Sequence, residues 1–197
     1  MPLPSVSDTA LKEWAVAVKT LGQGEQIIVL RKGGIHRADK DFRFVHPEFL
    51  LFPTYEHQKA ELIKTECHDT LRDTYDDSGS GDSADFTHFC QVTDKFELRD
   101  ESDLDRISDF HIWTDDYARK RLHWRPKQPL TVALLRVYEL QQTQSLPILP
   151  EYSGCKSWVE LGTEVNIGNM TPVLDDAEYE CQAKGIRSAL AEAVAIA

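Results

Sequence analysis

Leu11, Trp14, Ala15, Val18 and Leu21 recur at helical spacing, with Ser7 or Asp8 as N-cap and Gly22 as a stop. This predicts an amphipathic helix over 8–21 with Trp14 on its buried side. Residues 26–32 are rich in β-branched side chains and run into Gly33-Gly34, the pattern of a strand entering a tight turn. Stretches 42–45 and 49–52 predict further strand pieces, parted at Pro47. Pro53-Thr54 then opens a predicted helix over 54–71, with Thr54 as cap and Leu62, Ile63, Cys67 and Leu71 as its apolar stripe.

In the second half, Cys90, Val92, Phe96 and Leu98 keep a strand-like alternation that breaks at Asp94. Ser102 is placed to cap a short helix carrying Leu104 and Ile107, and Thr114-Asp115-Asp116 to start another that ends near Leu122. Residues 130–140 are the strongest strand. They are apolar on both faces over 132–135, as expected of a central strand. Segments 158–161 and 164–167 predict a hairpin around Gly162-Thr163. Asp175 with Glu178 makes a capping box for a closing helix over 175–194, whose face carries Tyr179, Ala183, Ile186 and Leu190. Helices and strands mix without strict βαβ alternation. The expected fold is therefore α+β: a mixed or largely antiparallel sheet, or a small barrel, packed with several helices.

The length of 197 residues suits a single domain with its own core. No apolar run approaches the roughly 18 residues of a membrane span, and the first residues lack the basic-then-apolar pattern of a secretory signal. Cys67, Cys90, Cys155 and Cys181 form no CxxC pair, which fits a reduced, cytoplasmic protein. The net charge of −11 is unevenly spread. Residues 66–116 carry 16 carboxylates and 4 cations, whereas the remainder holds 17 and 18. Binding of phosphate follows local potential, so the near-neutral remainder can still bind nucleic acid; the 66–116 segment would equally repel it, or offer an acidic face to a basic protein partner. Within that segment, 76–85 has no large apolar side chain and reads as a flexible surface loop. Its acids do not fit the spacing of a Ca²⁺ loop.

Three groups are candidates for chemistry. Arg31 and Lys32 precede Gly33 and Gly34, whose backbone would suit an anion-binding concavity; the same glycines suit an ordinary hairpin turn. The spacing is not that of a P-loop. Tyr55, Glu56, His57 and Gln58 fall in the first turn of the predicted 54–71 helix, where the dipole favours anions and lowers a histidine pKa. Glu56 and His57 are the catalytic candidates, although neighbours on a helix diverge by about 100° and do not orient one another. Arg119, Lys120, Arg121 and Arg125, with His123, Trp124 and Lys127, form an acid-free run suited to phosphates and a stacked base. They also suit the C-terminal end of a helix begun by Asp115 and Asp116. No metal or cofactor is expected. His88-Phe89-Cys90 and Cys67-His68 lack a second ligand pair at zinc spacing, and no nucleophile elbow is present.

Four segments carry a resemblance: Leu11-Lys12-Glu13-Trp14-Ala15, Leu30-Arg31-Lys32-Gly33-Gly34-Ile35, 49–58, and Gly154-Cys155-Lys156-Ser157-Trp158-Val159-Glu160-Leu161. Together they resemble the bacterial domain-of-unknown-function 1802 family, over most of 8–165. The resemblance supplies no catalytic residue, because the family has no established activity. It implies, by analogy with members that occur beside Mrr-type restriction endonuclease domains, a place in DNA restriction or modification. It also strengthens Arg31, Lys32, Tyr55, Glu56, His57, Gln58 and Trp158 as site residues. The expected function is binding of nucleic acid or a nucleotide-like anion. In it, Arg31 and Lys32 meet phosphate, Tyr55 or Trp158 stacks on a base, and Gln58 or His57 bonds its edge. The alternatives are a hydrolase or phosphotransfer enzyme using Glu56 and His57, and a protein-interaction module with an acidic face.

Overall fold

The computed structural model describes residues 3–32, 45–76, 81–154, 156–191 and the backbone of 194–195. In chain order the strands are β1 (Val6–Trp14), β2 (Ile28–Arg31), β3 (Glu48–Thr54), β4 (Ser83–Leu98), β5 (Leu130–Pro147), β6 (Trp158–Asn166), β7 (Met170–Pro172) and β8 (Val194–Ala195). The helices are α1 (Ala15–Gly22), α2 (His68–Asp76), α3 (Glu101–Arg106), α4 (Asp115–His123) and α5 (Asp176–Ala189). The architecture is α+β, as the patterning implies. The sheet runs β2-β5-β4-β3-β1-β6, with β7 against β5 and β8 against β4. Only the β1–β3 pairing is parallel among the described strands. It does not close into a barrel, because β2 and β6 remain edges of that path. It is nevertheless strongly coiled: the Arg31 side chain, at the end of β2, donates to the Lys12 carbonyl of β1, four strands away.

Three of the expected elements differ. Residues 6–14 are a strand, and the helix is confined to Ala15–Gly22. β1 lies between β3 and β6, so both its edges are paired and Ala10 and Leu11 are buried on opposite sides. The helical spacing arose by joining Leu11 and Trp14 of a doubly covered strand to Ala15, Val18 and Leu21 of the helix that follows. The predicted 54–71 helix is the second. Pro53 and Thr54 belong to β3, opposite Glu13 and Trp14. Two short 3₁₀ turns, Ala60–Leu62 and Thr65–Cys67, precede α2. Ile63, expected on a helical stripe, bridges instead to Trp113. The third is the hairpin at 158–167, which is one strand. Both halves of β6 pair with β1, and Gly162, at φ +67°, lies in an irregularity that takes the register from Thr9–Glu160 to Ser7–Val165. Residues 42–44 lie outside the described residues, and Val45 is exposed beyond β3.

Other local readings hold in outline, but the closing helix expected over 175–194 ends at Ala189, with Val194–Ala195 a strand, and Ser83–Asp85 of the loop expected over 76–85 open β4. β5 is central and fully buried over 130–137. β4 is bulged between Val92 and Asp94, where the alternation broke. The Thr114 hydroxyl accepts the Tyr117 N–H to cap α4, and Asp175 and Glu178 form a reciprocal capping box on α5. α3 starts two residues earlier than a Ser102 cap predicts, after Asp100 and without a side-chain cap.

The bulge at Asp94 also anchors α5. Arg187 forks onto the Asp94 carboxylate at 2.9 and 2.8 Å, and the Thr93 hydroxyl meets the Tyr179 phenol at 2.5 Å. The hydrogen bonds from Arg187 hold the Asp94 carboxyl below its ordinary range, against the effect of burial. A carboxylate with a depressed folded-state pKa stabilises fully above the unfolded value of about 4, and that contribution is lost as pH falls through the folded value. Urea midpoints should therefore fall in the acid limb. Arg187→Met should lower the neutral-pH midpoint and shrink that acid-limb loss; an unchanged limb would assign the acid sensitivity elsewhere.

Candidate functional site

The last residues of β1, β2 and β3 meet at a cavity of about 1020 Å³. The β4 start at Ser83–Asp85, Tyr117 and Arg121 of α4, Trp113 and Trp124, and Ser153, Gly154, Lys156 and Ser157 before β6 add to its lining. Such a size lies at the upper end of small-molecule sites. Strand ends suit a site because the sheet holds the backbone while the residues beyond it are free to face a ligand.

The floor is a buried ion pair. Arg31 bonds the Glu13 carboxylate at 2.9 Å, with both side chains under a tenth exposed. Glu13 also accepts the Trp14 N–H at 2.9 Å, and its carbonyl accepts the Thr54 hydroxyl at 3.0 Å. Burial pulls the Arg31 pKa down and Glu13 counters it, while the charge of Arg121 lowers it further. Lys32 is buried beside it. Its ammonium donates to the Leu122 carbonyl in the last turn of α4, and burial lowers its pKa. Lys12 donates to the carbonyls of Tyr152 and Gly154 and sits 5.6 Å over the Phe52 ring, so it ties Tyr152–Gly154 to the sheet.

One wall is aromatic. Trp14 and Tyr117 lie with ring centroids 5.2 Å apart. Arg121 donates to the Tyr117 hydroxyl at 2.7 Å, with its guanidinium 5.8 Å from the ring. Among the described residues Arg121 has no carboxylate partner. Glu56, His57, Asp85 and Lys156 are exposed at the rim. Trp124 is 48% exposed there, with the Arg125 guanidinium 4.5 Å from its ring and Arg125 itself at φ 56°.

The candidates therefore separate. Arg31, Lys32, Tyr55, Glu56 and His57 all line this cavity. Glu56 and His57, however, follow a strand rather than open a helix, so the dipole expected to act on His57 is missing. Gln58 is buried beneath: its amide oxygen accepts the Val16 N–H at 3.1 Å and its nitrogen donates to Thr74 at 2.8 Å. It thus supplies the cap that Trp14 cannot give to α1. Trp158 packs edge-on to Phe49 and His46 and does not reach the cavity. Gly33 and Gly34 lie outside the described residues. Of the basic run, Arg121 and Trp124 line the cavity. Arg119 is held by Asp105 at 2.7 Å and Glu101 at 3.5 Å, and Lys120 by Asp116 at 2.6 Å.

Lys12, Glu13, Trp14 and Tyr117 also line the cavity, and residue patterns did not single them out. The first three lie in the Leu11–Ala15 segment already singled out by resemblance, but a helical reading pointed Trp14 inward. No group of three or more metal-ligating side chains occurs among the described residues, and none of the described helices is long and apolar enough to cross a membrane.

All four segments that carry the resemblance contribute to this one cavity, through Lys12–Trp14, Leu30–Lys32, 52–57, and Gly154 with Lys156 and Ser157. No curated protein and no solved structure matches the chain. The family model described as a domain of unknown function (DUF1802) matches residues 10–185, and the chain belongs to that family.

Proposed function

We propose that this chain binds an anionic, nucleotide-like ligand in the cavity at the ends of β1, β2 and β3. The observation that carries the reading is Arg121, a guanidinium with no carboxylate partner among the described residues, held by Tyr117 against a Trp14–Tyr117 wall. Lys12, Arg31, Lys32 and Lys156 add positive potential in a chain whose net charge is −11. A charge-assisted hydrogen bond to Arg121 would fix an anion, and the aromatic wall would take a planar ring. A role in DNA restriction or modification, implied by analogy with the family's neighbours, would use the same contacts.

The test is anisotropy of labelled nucleotides and oligonucleotides at low and moderate salt. Wild type should bind, with affinity falling as salt rises, and Arg121→Ala should weaken binding about tenfold or more. Absence of binding at low salt, or unchanged affinity in Arg121→Ala, would overturn the reading.

A second reading has one observation in its favour: Glu56 and His57 lie on the same cavity as the cations. Under it the protein is a hydrolase or phosphotransfer enzyme, and His57→Ala should abolish any turnover found on phosphate esters. The acidic-face reading is weakened by pairing within the chain, since Asp69, Asp94, Glu101, Asp103, Asp105 and Asp116 all bond cations of this chain.

A further inference from the structure

The geometry points to a ligand that is a compact polyanion, a nucleoside di- or triphosphate, rather than a nucleic-acid strand. This rests on the anion-binding reading above and names its substrate class. Arg31 and Lys32 are buried in the cavity and Lys12 and Arg121 half-buried, with Glu13 as the buried carboxylate among them. Like charges sheltered from water repel strongly. A phosphate chain brings several negative charges to a wall on which Lys12, Arg31, Lys32 and Arg121 outnumber the buried Glu13 carboxylate, whereas a single phosphodiester brings one.

The outer surface has the opposite character. A strand needs a run of exposed cations along which successive phosphates track. On the exposed side of α4, Arg119 and Lys120 are taken up by Asp105, Glu101 and Asp116, and His123 meets Glu101 at 2.5 Å. The rim adds the exposed carboxylates of Glu56 and Asp85. A strand leaving the cavity therefore meets a rim that carries Glu56 and Asp85 beside Lys156 rather than a run of cations, while a small ligand ends before it. The cavity volume of about 1020 Å³ accommodates a base against Trp14 and Tyr117 together with a phosphate chain.

The test is intrinsic tryptophan fluorescence of the full chain, since Trp14, Trp113 and Trp124 all line the cavity. ATP, GTP, AMP, inorganic tripolyphosphate and a short oligothymidylate are each titrated with and without Mg²⁺. A nucleoside triphosphate should bind about tenfold or more tighter than the monophosphate, a difference of about 1.4 kcal/mol or more. It should also bind tighter than the oligothymidylate, and Arg121→Ala should reduce its affinity about tenfold with the melting temperature retained. Equal affinity for mono- and triphosphate, or tightest binding by the oligothymidylate, would overturn this inference and leave the anion site standing. Tripolyphosphate binding as tightly as ATP would overturn the nucleoside component. If none of these probes binds, both this inference and the anion-binding reading fall.

Discussion

Arg31→Ala should lower the unfolding free energy by about 3–5 kcal/mol, the range for breaking a buried ion pair from one side. The Glu13 carboxylate would remain in a site under a tenth exposed, and the Lys12 carbonyl would lose its donor from β2. That donor also joins edge strand β2 to β1, four strands along the coiled sheet, so the loss falls on the cavity as well as on the pair. Urea unfolding measures it directly. The double variant Glu13→Gln/Arg31→Met should recover much of the stability, because two neutral side chains of similar volume leave no buried charge. A single-variant loss below about 1 kcal/mol would mean that the pair is solvated and exerts no such constraint. One consequence concerns the site. Loss of ligand binding in an Arg31 variant would not identify Arg31 as a ligand contact, since its first role is to hold the floor. Arg121, which is held by Tyr117 and half-exposed, is the variant that distinguishes binding from folding.

Phe86→Ala should cost a comparable amount, about 3–5 kcal/mol, from lost burial plus the cavity left behind. Phe86 is fully buried on β4 and meets Phe52 edge-on at 5.4 Å, and Phe52 in turn meets Tyr152 at 6.1 Å. The Tyr152 hydroxyl donates to the Leu161 carbonyl at 2.7 Å, so this cluster fastens the stretch before β6 to the sheet. Phe52 lines the cavity, and Lys12 lies over its ring. The alanine variant should therefore loosen the cavity floor in the molecules that still fold, and ligand affinity should fall with stability. Phe86→Leu should lose less of both, because it leaves a smaller void. Thermal melts with parallel ligand titrations check this. Full stability in the alanine variant would show that the surrounding rings collapse into the space.

The parts of this fold legible in the residue pattern are those decided within a few positions along the chain. Thr114 and the Asp175–Glu178 pair cap helices through bonds that span three residues, and both appear in the structure. The break at Asp94 is a bulge, and the unbroken apolar run over 132–135 lies in a central strand with both faces covered. The errors have a common source. Over residues 8–21 and 54–71, apolar positions at helical spacing were equally compatible with a buried strand joined to a helix, or with a strand end followed by turns. Propensity gave way there to pairing partners distant in sequence: β3 and β6 for β1, and β1 for Pro53 and Thr54.

The candidate site divides in the same way. Arg31, Lys32, Tyr55, Glu56 and His57 could be singled out because they are versatile side chains in segments that resemble a family, and all five line one cavity. Residue types could not distinguish Arg121, without a carboxylate partner among the described residues, from Arg119 and Lys120, each held by carboxylates. Nor could they show that Gln58 caps α1 from beneath rather than meeting a ligand. The sequence by itself determined caps, bulges and the central strand, because those follow from backbone hydrogen bonds and side-chain periodicity over a few residues. Tertiary structure alone decided which cations remain available to a ligand. The partner that neutralises a charge, such as Glu13 for Arg31, is chosen by the pairing and coiling of the sheet and not by proximity along the chain.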